Sequence, residues 1–286
     1  MTVIELVERS AQALDEAGVA FGQGTLNAFD EAAWLVLWQL GHPLDELDEV
    51  AGREVPISEL QAVDALVQRR ITTRKPTAYL TGEAWLQGVP FFVDENVIIP
   101  RSLIAEPLAE GVLDAWLPAG SARVLDLCTG NGSLAVLAAL AWPQARVRAC
   151  DISAPALALA RRNVDRHGLQ GRIELAQGDG LAAAAGTWDL ILCNPPYVTR
   201  ESMQQLPPEF RAEPVLALDG GADGMAFIRS LMQCLKRSLE PQGALVLEVG
   251  RERDHFEAAF PKLDAIWLAT TAGDDQVVLL QREALP

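Results

Sequence analysis

Asn194, Pro195, Pro196 and Tyr197 form a short polar corner directly after the apolar run Leu190 to Cys193, which has the character of a buried strand. A carboxamide or exocyclic amino nitrogen is a weak nucleophile because its lone pair is delocalised. A protein that alkylates one must hold the NH₂ group so that this pair faces the incoming carbon. Two acceptors aimed at the two N–H bonds would do this, and the Asn194 side-chain oxygen and the Pro195 carbonyl are the natural candidates. The prolines fix φ and remove competing donors, and Tyr197 is expected to cover the flat group with its ring. A tight turn alone would account for the prolines but not for the Asn and Tyr that flank them. Positioning of this kind is worth about 3 kcal/mol per well-placed group. No general base is required, since the nitrogen becomes acidic once alkylated.

A second cluster lies upstream. Arg123-Val-Leu-Asp126-Leu runs into Cys128-Thr129-Gly130-Asn131-Gly132, and a helix is expected from about Ser133. Gly130 and Gly132 allow a tight turn and a close main-chain approach to a ligand. With Ala135 the string also fits G-x-G-x-x-A, so a nicotinamide or flavin cofactor is the rival for this loop. Asp126 favours S-adenosylmethionine, because a carboxylate at a strand end can receive an ammonium. Asp151, followed by Ile152, ends the next strand, where two oxygens can accept both ribose hydroxyls. Capping of the following helix is the plainer role for it. Asp179 and Gly180 follow the third strand, where a short carboxylate can accept from an adenine amino group or simply form a turn.

The elements that must position these residues follow from pattern. Val3 to Ala17 and Ala28 to Leu40 favour helix. Apolar residues at Leu60, Val63, Leu66, Val67 and Ile71 predict another, with Ser58 and Gln61 as its capping box. Residues 1–75 therefore read as a small helical domain, assigned to substrate recognition, and 76–100 as a linking β-hairpin around Trp85 to Val93. Residues 101–286 read as the catalytic domain, with short apolar strands alternating with helical stretches in the rhythm of a parallel sheet. Ile266 to Thr270 and Val277 to Gln281 are separated only by a turn around Gly273-Asp274-Asp275, so they should pair antiparallel. That terminal hairpin is foreign to the doubly wound dehydrogenases. The expected fold class is α/β: a class I S-adenosylmethionine-dependent methyltransferase, with a Rossmann-like sheet ending in an antiparallel hairpin, plus the N-terminal helical domain.

Composition bounds the partners. The chain has 286 residues and a formal net charge of −16. Residues 1–64 hold 13 Asp and Glu against Arg9 and Arg53, a net −11. A nucleic-acid binder usually shows a basic face, so no direct DNA binding is expected. An acidic lobe can instead steer a basic protein. No apolar stretch approaches the ~20 residues of a bilayer span, and the expected location is cytoplasmic. Cys128, Cys150, Cys193 and Cys234 have no metal-ligand spacing, so no metal is expected and the thiols read as free.

Asn194-Pro-Pro-Tyr197 after Asp126-x-x-x-Gly130-x-Gly132 resembles the protein-glutamine methyltransferases, and the resemblance runs from about Pro76 to the C-terminus. Pro76-Thr-Ala-Tyr-Leu-Thr-Gly82, Ile98-Ile-Pro-Arg101-Ser and Asp219-Gly-Gly-Ala-Asp-Gly224 are placed as in that family. Pro100 to Glu106, Leu206 to Pro214, and Cys128 in place of Gly resemble the branch acting on the third protein of the large ribosomal subunit, more than the branch acting on peptide-chain release factors. The resemblance implies S-adenosylmethionine contacts at Asp126, Cys128 to Gly132, Asp151, Ile152, Asp179, Gly180 and Asn194, and a substrate grip at Asn194 to Tyr197. It implies a large-subunit ribosomal protein as partner, with ribosomal RNA met only through the substrate particle. Arg101 and Glu106 are open between a helix-start ion pair and substrate contact. A DNA amino-methyltransferase and a noncatalytic assembly factor are the alternatives from other classes.

Overall fold

The computed structural model describes residues 1–285. Four helices open the chain: α1 (Val3–Glu16), α2 (Ala28–Leu40), the single turn α3 (Leu47–Val50) and α4 (Ile57–Thr73). Thr2 and Glu5 exchange a reciprocal cap at the start of α1, and the Asn27 side chain accepts from the Asp30 N–H at the start of α2. Helix α4 differs from expectation. It begins at Ile57 after Pro56, so Ser58 and Gln61 lie inside its first turns and no side-chain cap forms. The apolar faces of α1, α2 and α4 close on a core of their own that includes Leu6, Leu14, Leu35 and Val63. Beside it, Glu31 Oε1 accepts from Arg70 Nε at 2.5 Å and from Thr77 Oγ1 at 2.9 Å, all three side chains buried.

A short helix, α5 (Thr77–Thr81), precedes the hairpin of β1 (Glu83–Leu86) and β2 (Val89–Phe92), which pair antiparallel. Its two-residue turn, Gln87-Gly88, has φ of 50° and 72°. Positive φ at both positions matches the right-handed twist of the flanking strands.

The remaining chain is α6 (Ala105–Ala109), β3 (Arg123–Leu127), α7 (Ser133–Ala141), β4 (Arg146–Asp151), α8 (Ala154–Arg166), β5 (Ile173–Gln177) and β6 (Trp188–Cys193). Then follow α9 (Arg200–Gln205), α10 (Ala226–Ser238), β7 (Leu239–Glu248), α11 (Arg253–Ala259), β8 (Ile266–Thr270) and β9 (Gly273–Gln281). Seven strands form one sheet in the order β5-β4-β3-β6-β7-β9-β8. The first five are parallel, while β9 pairs antiparallel with both β7 and β8. The hairpin turn falls at Thr271-Ala272, so Gly273, Asp274 and Asp275, expected in the turn, open strand β9.

Both faces of the sheet are covered, and successive residues of each strand serve opposite cores. Val124, Leu190, Leu192, Val246 and Leu279 pack toward α6 and α7, while Leu125, Ile191, Cys193, Leu245 and Val278 pack toward α10 and α11. Parallel strands buried on both faces read as the near-continuous apolar runs seen in the sequence. The strand order reverses between β3 and β6, and ligands of open α/β sheets bind outside the carboxyl ends at such a switch point.

Candidate active site

The loops after β3, β4, β5 and β6 converge at that carboxyl edge around a cavity of about 190 Å³. Of the residues singled out in the sequence, Cys128, Gly130, Asp151, Ile152, Asp179, Gly180, Asn194 and Pro196 line it. A larger cleft of about 560 Å³ opens around Asp189, Pro241 and Arg282 and contains none of them.

Asp126, Thr129, Asn131 and Gly132 stand behind this wall. Asp126 is fully buried, and its Oδ2 accepts from Thr129 Oγ1 at 2.5 Å and from the Ala135 N–H at 2.9 Å, which ties β3 to the start of α7. Burial pushes its carboxyl up to about 7, against the lowering effect of those two bonds. Its Oδ1 is buried without a partner. Asn131 joins the loop to the hairpin through Phe92 O, and its own carbonyl accepts from Asn163 of α8. Gly132 has φ +83°, a conformation that favours glycine, and a Cβ there would lie 3.2 Å from Ala160 Cβ, so any side chain would also crowd α8.

Asp151 supports the glycine loop as well as facing the cavity. Its Oδ2 accepts from the Gly130 N–H at 2.9 Å and its Oδ1 from the Ser153 N–H at 2.8 Å. The cap of α8 is Ser153, so the helix-capping role weighed for Asp151 belongs to its neighbour. Burial pushes the Asp151 carboxyl up, against those backbone bonds. Each oxygen keeps a second lone pair for a ligand. Cys128 holds a left-handed φ of 62°, and its contact with the Cys193 thiol, reinforced by burial, pushes its own thiol well up.

The corner after β6 differs from expectation at two residues. Asn194 and Pro196 line the cavity, but Pro195, which is buried, and Tyr197 do not. The Tyr197 hydroxyl donates to Glu248 Oε1 at 2.8 Å, and its ring lies so close to Gly250 that an added Cβ would meet Cε2 at 2.4 Å. The main chain is held as tightly. A Cβ on Gly220 would lie 2.7 Å from Tyr197 Cα, and one on Gly224 2.3 Å from Tyr197 O. The Val198 N–H donates to Leu218 O, and Val198 O accepts from the Gly220 N–H, both at 2.9 Å. The string Asp219 to Gly224 is thus the cradle of the corner. Tyr197 anchors the loop rather than covering a ligand.

Glu248 was not anticipated. It ends β7, is 3% exposed, and accepts from Ser102 Oγ at 2.6 Å and from the Leu103 N–H at 3.0 Å besides Tyr197. Burial pushes its carboxyl up while these donors pull it down. Burial and the Glu248 charge together push the Tyr197 hydroxyl well up, so the tyrosine stays a donor. A carboxylate closing the apolar run Leu245 to Leu247 was the signal available in the sequence.

Arg101 and Glu106 do not pair with each other. Arg101 forks onto Glu213, with Nη1 to Oε1 at 2.5 Å and Nη2 to Oε2 at 2.7 Å, and Glu213 also accepts from the Ile99 N–H at 3.0 Å. Glu106 accepts from the Thr271 N–H and hydroxyl, both at 2.6 Å. Four residues before Glu213, buried Glu209 accepts from the Ala20 N–H and from Arg74 Nη1, each at 3.2 Å. The segment 206–217 is therefore strapped to the helical N-terminus at one point and to the Ile99–Arg101 loop at the other. Its end, Pro214, Leu216 and Ala217, faces Asn96 and Ile98 across the cavity rim. Asn96, Leu216, Ala217 and Phe227 carried no local signal, whereas Ile98 and Pro214 lie at the ends of strings on which the family resemblance rests.

Fold and site define a class I methyltransferase. The family model described as methyltransferase small domain matches residues 109–221. A methyltransferase from Pyrococcus furiosus superposes with a TM-score of 0.50 over 75% of this chain and 97% of that one, at 18% identity. A ribosomal protein uL3 glutamine methyltransferase of Bordetella pertussis is 51% identical over 99% of this chain and 96% of the relative. That of Burkholderia pseudomallei is 47% identical over 100% and 96%. The chain belongs to the family of ribosomal protein uL3 glutamine methyltransferases. The nicotinamide reading of the glycine loop is thereby set aside.

Proposed function

We propose that this chain transfers a methyl group from S-adenosylmethionine to the side-chain amide nitrogen of a glutamine in ribosomal protein uL3. The observation that carries it is the Asn194-Pro195-Pro196-Tyr197 corner, clamped by three glycines and Glu248 beside the cavity at the sheet's switch point.

The residues present fit the cofactor. Asp126 offers a buried oxygen without a partner, suited to an ammonium or to a water bound to one. A Cβ on Gly130 would have open space around it at φ +55°, so the loop leaves room for a ligand against its main chain. Asp151, with its remaining lone pairs, would hold the ribose hydroxyls, and Asp179 with Gly180 the adenine edge. Ile152 would pack on the base, while Cys128, Thr129, Asn131 and Gly132 shape the loop. S-adenosylmethionine, when bound, supplies an electrophilic methyl carbon on a sulfonium.

This chain's residues then position the nucleophile. Asn194 and the Pro195 carbonyl accept the two N–H bonds of the substrate carboxamide and turn its lone pair toward the cofactor side of the cavity. Pro196 keeps the corner stiff, and Tyr197 keeps it in place through Glu248. The gain comes from orientation in a group that moves little on reaching the transition state. The acidic N-terminal residues draw in a basic ribosomal protein.

Incubation of the enzyme with methyl-labelled cofactor and, separately, uL3, a peptide-chain release factor and duplex DNA tests the assignment. Label in uL3 at a glutamine is expected. Label confined to the release factor or to DNA would overturn the assigned target.

A further inference from the structure

We propose that the amino edge of the sheet carries a second binding surface, for the phosphate backbone of RNA, built from Arg146, Arg161 and Arg172. These side chains line a concavity of about 400 Å³ between the start of β4, helix α8 and the start of β5, together with Gln170, Gly171 and Glu174. Two of the three are aimed by main-chain carbonyls. Arg146 Nη1 donates to Gly171 O at 2.7 Å, and Arg172 Nη1 donates to Pro143 O at 2.6 Å while its Nη2 donates to Ala139 O. A guanidinium has five N–H bonds, so donors are left over on planes already held in place.

None of the three forms an ion pair among the described residues. Two carboxylates of this region are engaged elsewhere: Glu174 by Arg148 and Glu83 by Arg166. Asp165, one turn beyond Arg161 on α8, forms no ion pair either, and Arg162 lies over the Phe92 ring at 4.8 Å. The local charge is set against the rest of the chain. Residues 123–172 hold seven arginines against Asp126, Asp151 and Asp165, a net +4 within a chain of −16. Asp126 and Asp151 sit at the opposite, carboxyl edge. Guanidiniums that line one concavity without an ion pair of their own favour an anion between them, and their forked donors match phosphate oxygens.

A polymer of phosphates is the occupant that this layout suits. The concavity and the cofactor cavity lie at opposite ends of β4, a six-residue strand, which spans about 20 Å. A bound backbone there leaves the catalytic corner free for protein. The inference rests on the reading that the substrate is a ribosomal protein, which is surrounded by RNA in its particle. The acidic residues 1–64, at net −11, would then meet the basic protein while the arginines meet its RNA. Ribosomal RNA is thus contacted directly, and not only through the substrate.

The test uses the full chain and a fluorescent RNA duplex of about 16 base pairs, with binding read by anisotropy over a range of salt. Wild type is expected to bind with log Kd rising linearly with log salt. The double variant Arg146→Ala/Arg161→Ala should bind about tenfold more weakly, with a slope lower by about two. Arg146→Lys/Arg161→Lys should recover part of the affinity. The alanine variant should keep the wild-type melting curve and wild-type kcat and KM on isolated uL3, because neither side chain touches the catalytic cavity. No RNA binding by wild type, or equal binding by the alanine variant, would overturn the proposal. So would equal competition by a polyglutamate peptide, or by inorganic phosphate at matched phosphate concentration, which would assign the patch to another anion. Failure of wild type to methylate isolated uL3 would sink the substrate reading instead, and the anisotropy result is read independently of it.

Discussion

Tyr197 shows how one side chain can be fixed by partners scattered over the sequence. Its hydroxyl meets Glu248, its ring meets Gly250, and its main chain meets Gly220 and Gly224. Tyr197→Phe leaves a buried carboxylate oxygen one donor short, a loss of about 1–3 kcal/mol. The expected outcome is a lower denaturation midpoint and a reduced kcat with cofactor affinity kept, read by chemical unfolding, steady-state kinetics and calorimetry. Asp126 makes a pH prediction. Burial pushes its carboxyl up to about 7 from an ordinary 3.8, so the folded chain binds this proton more tightly than the unfolded chain does. Stability of the cofactor-free protein therefore falls as pH rises from about 3.8 to about 7. Asp126→Asn flattens that decline, measured as denaturant midpoints across the window. Asp151 and Glu248, also pushed up by burial, leave a residual slope of the same sign.

At the scale of elements, the corner after β6 works because two other segments hold it. The Gly220 to Gly224 loop cradles its main chain, and the strap 206–217 connects it to the rest. Gly250 has φ +54° and faces the Tyr197 ring at a Cβ distance of 2.4 Å. Gly250→Ala should cut kcat at least tenfold with little change in cofactor Kd, since ring and backbone must both shift. Glu213→Ala strands Arg101 beside a vacated buried site and should cost about 3 kcal/mol in unfolding experiments, with faster proteolysis within the strap. The parallel strands were legible in the sequence because a sheet covered on both faces needs near-continuous apolar runs. The Asn194 to Tyr197 corner was legible because few structures require that combination. The cap at Ser58 misled because Pro56 already sets the helix entry with its fixed φ. Tyr197 misled because a ring beside a site can anchor as well as stack, and residue type does not distinguish the two. The strap's role was invisible because its ion pairs join residues 112 and 135 positions apart, which leaves no local periodicity.

Across the whole molecule, charge is divided between regions. The chain is −16 overall, and residues 1–64 carry −11 of it because only Arg9 and Arg53 offset their 13 Asp and Glu. Methylation of a basic protein should therefore lose kcat/KM as salt rises, while methylation of a short uncharged glutamine peptide should not. Comparison of both substrates over a salt series at fixed pH checks this, and equal salt dependence would remove the steering role. The division was legible in composition for the acidic part. The arginine concavity was not, because its members come from the starts of β4 and β5 and from α8, and only the fold gathers them. All these features serve a single act, the holding of a carboxamide against the carbon it will receive. Its most direct measure is the single-turnover rate of methyl transfer to uL3 by Asn194→Ala, with cofactor and substrate both saturating. The account predicts a fall of about 10²–10³-fold with cofactor Kd unchanged. A single-turnover rate equal to wild type would contradict it.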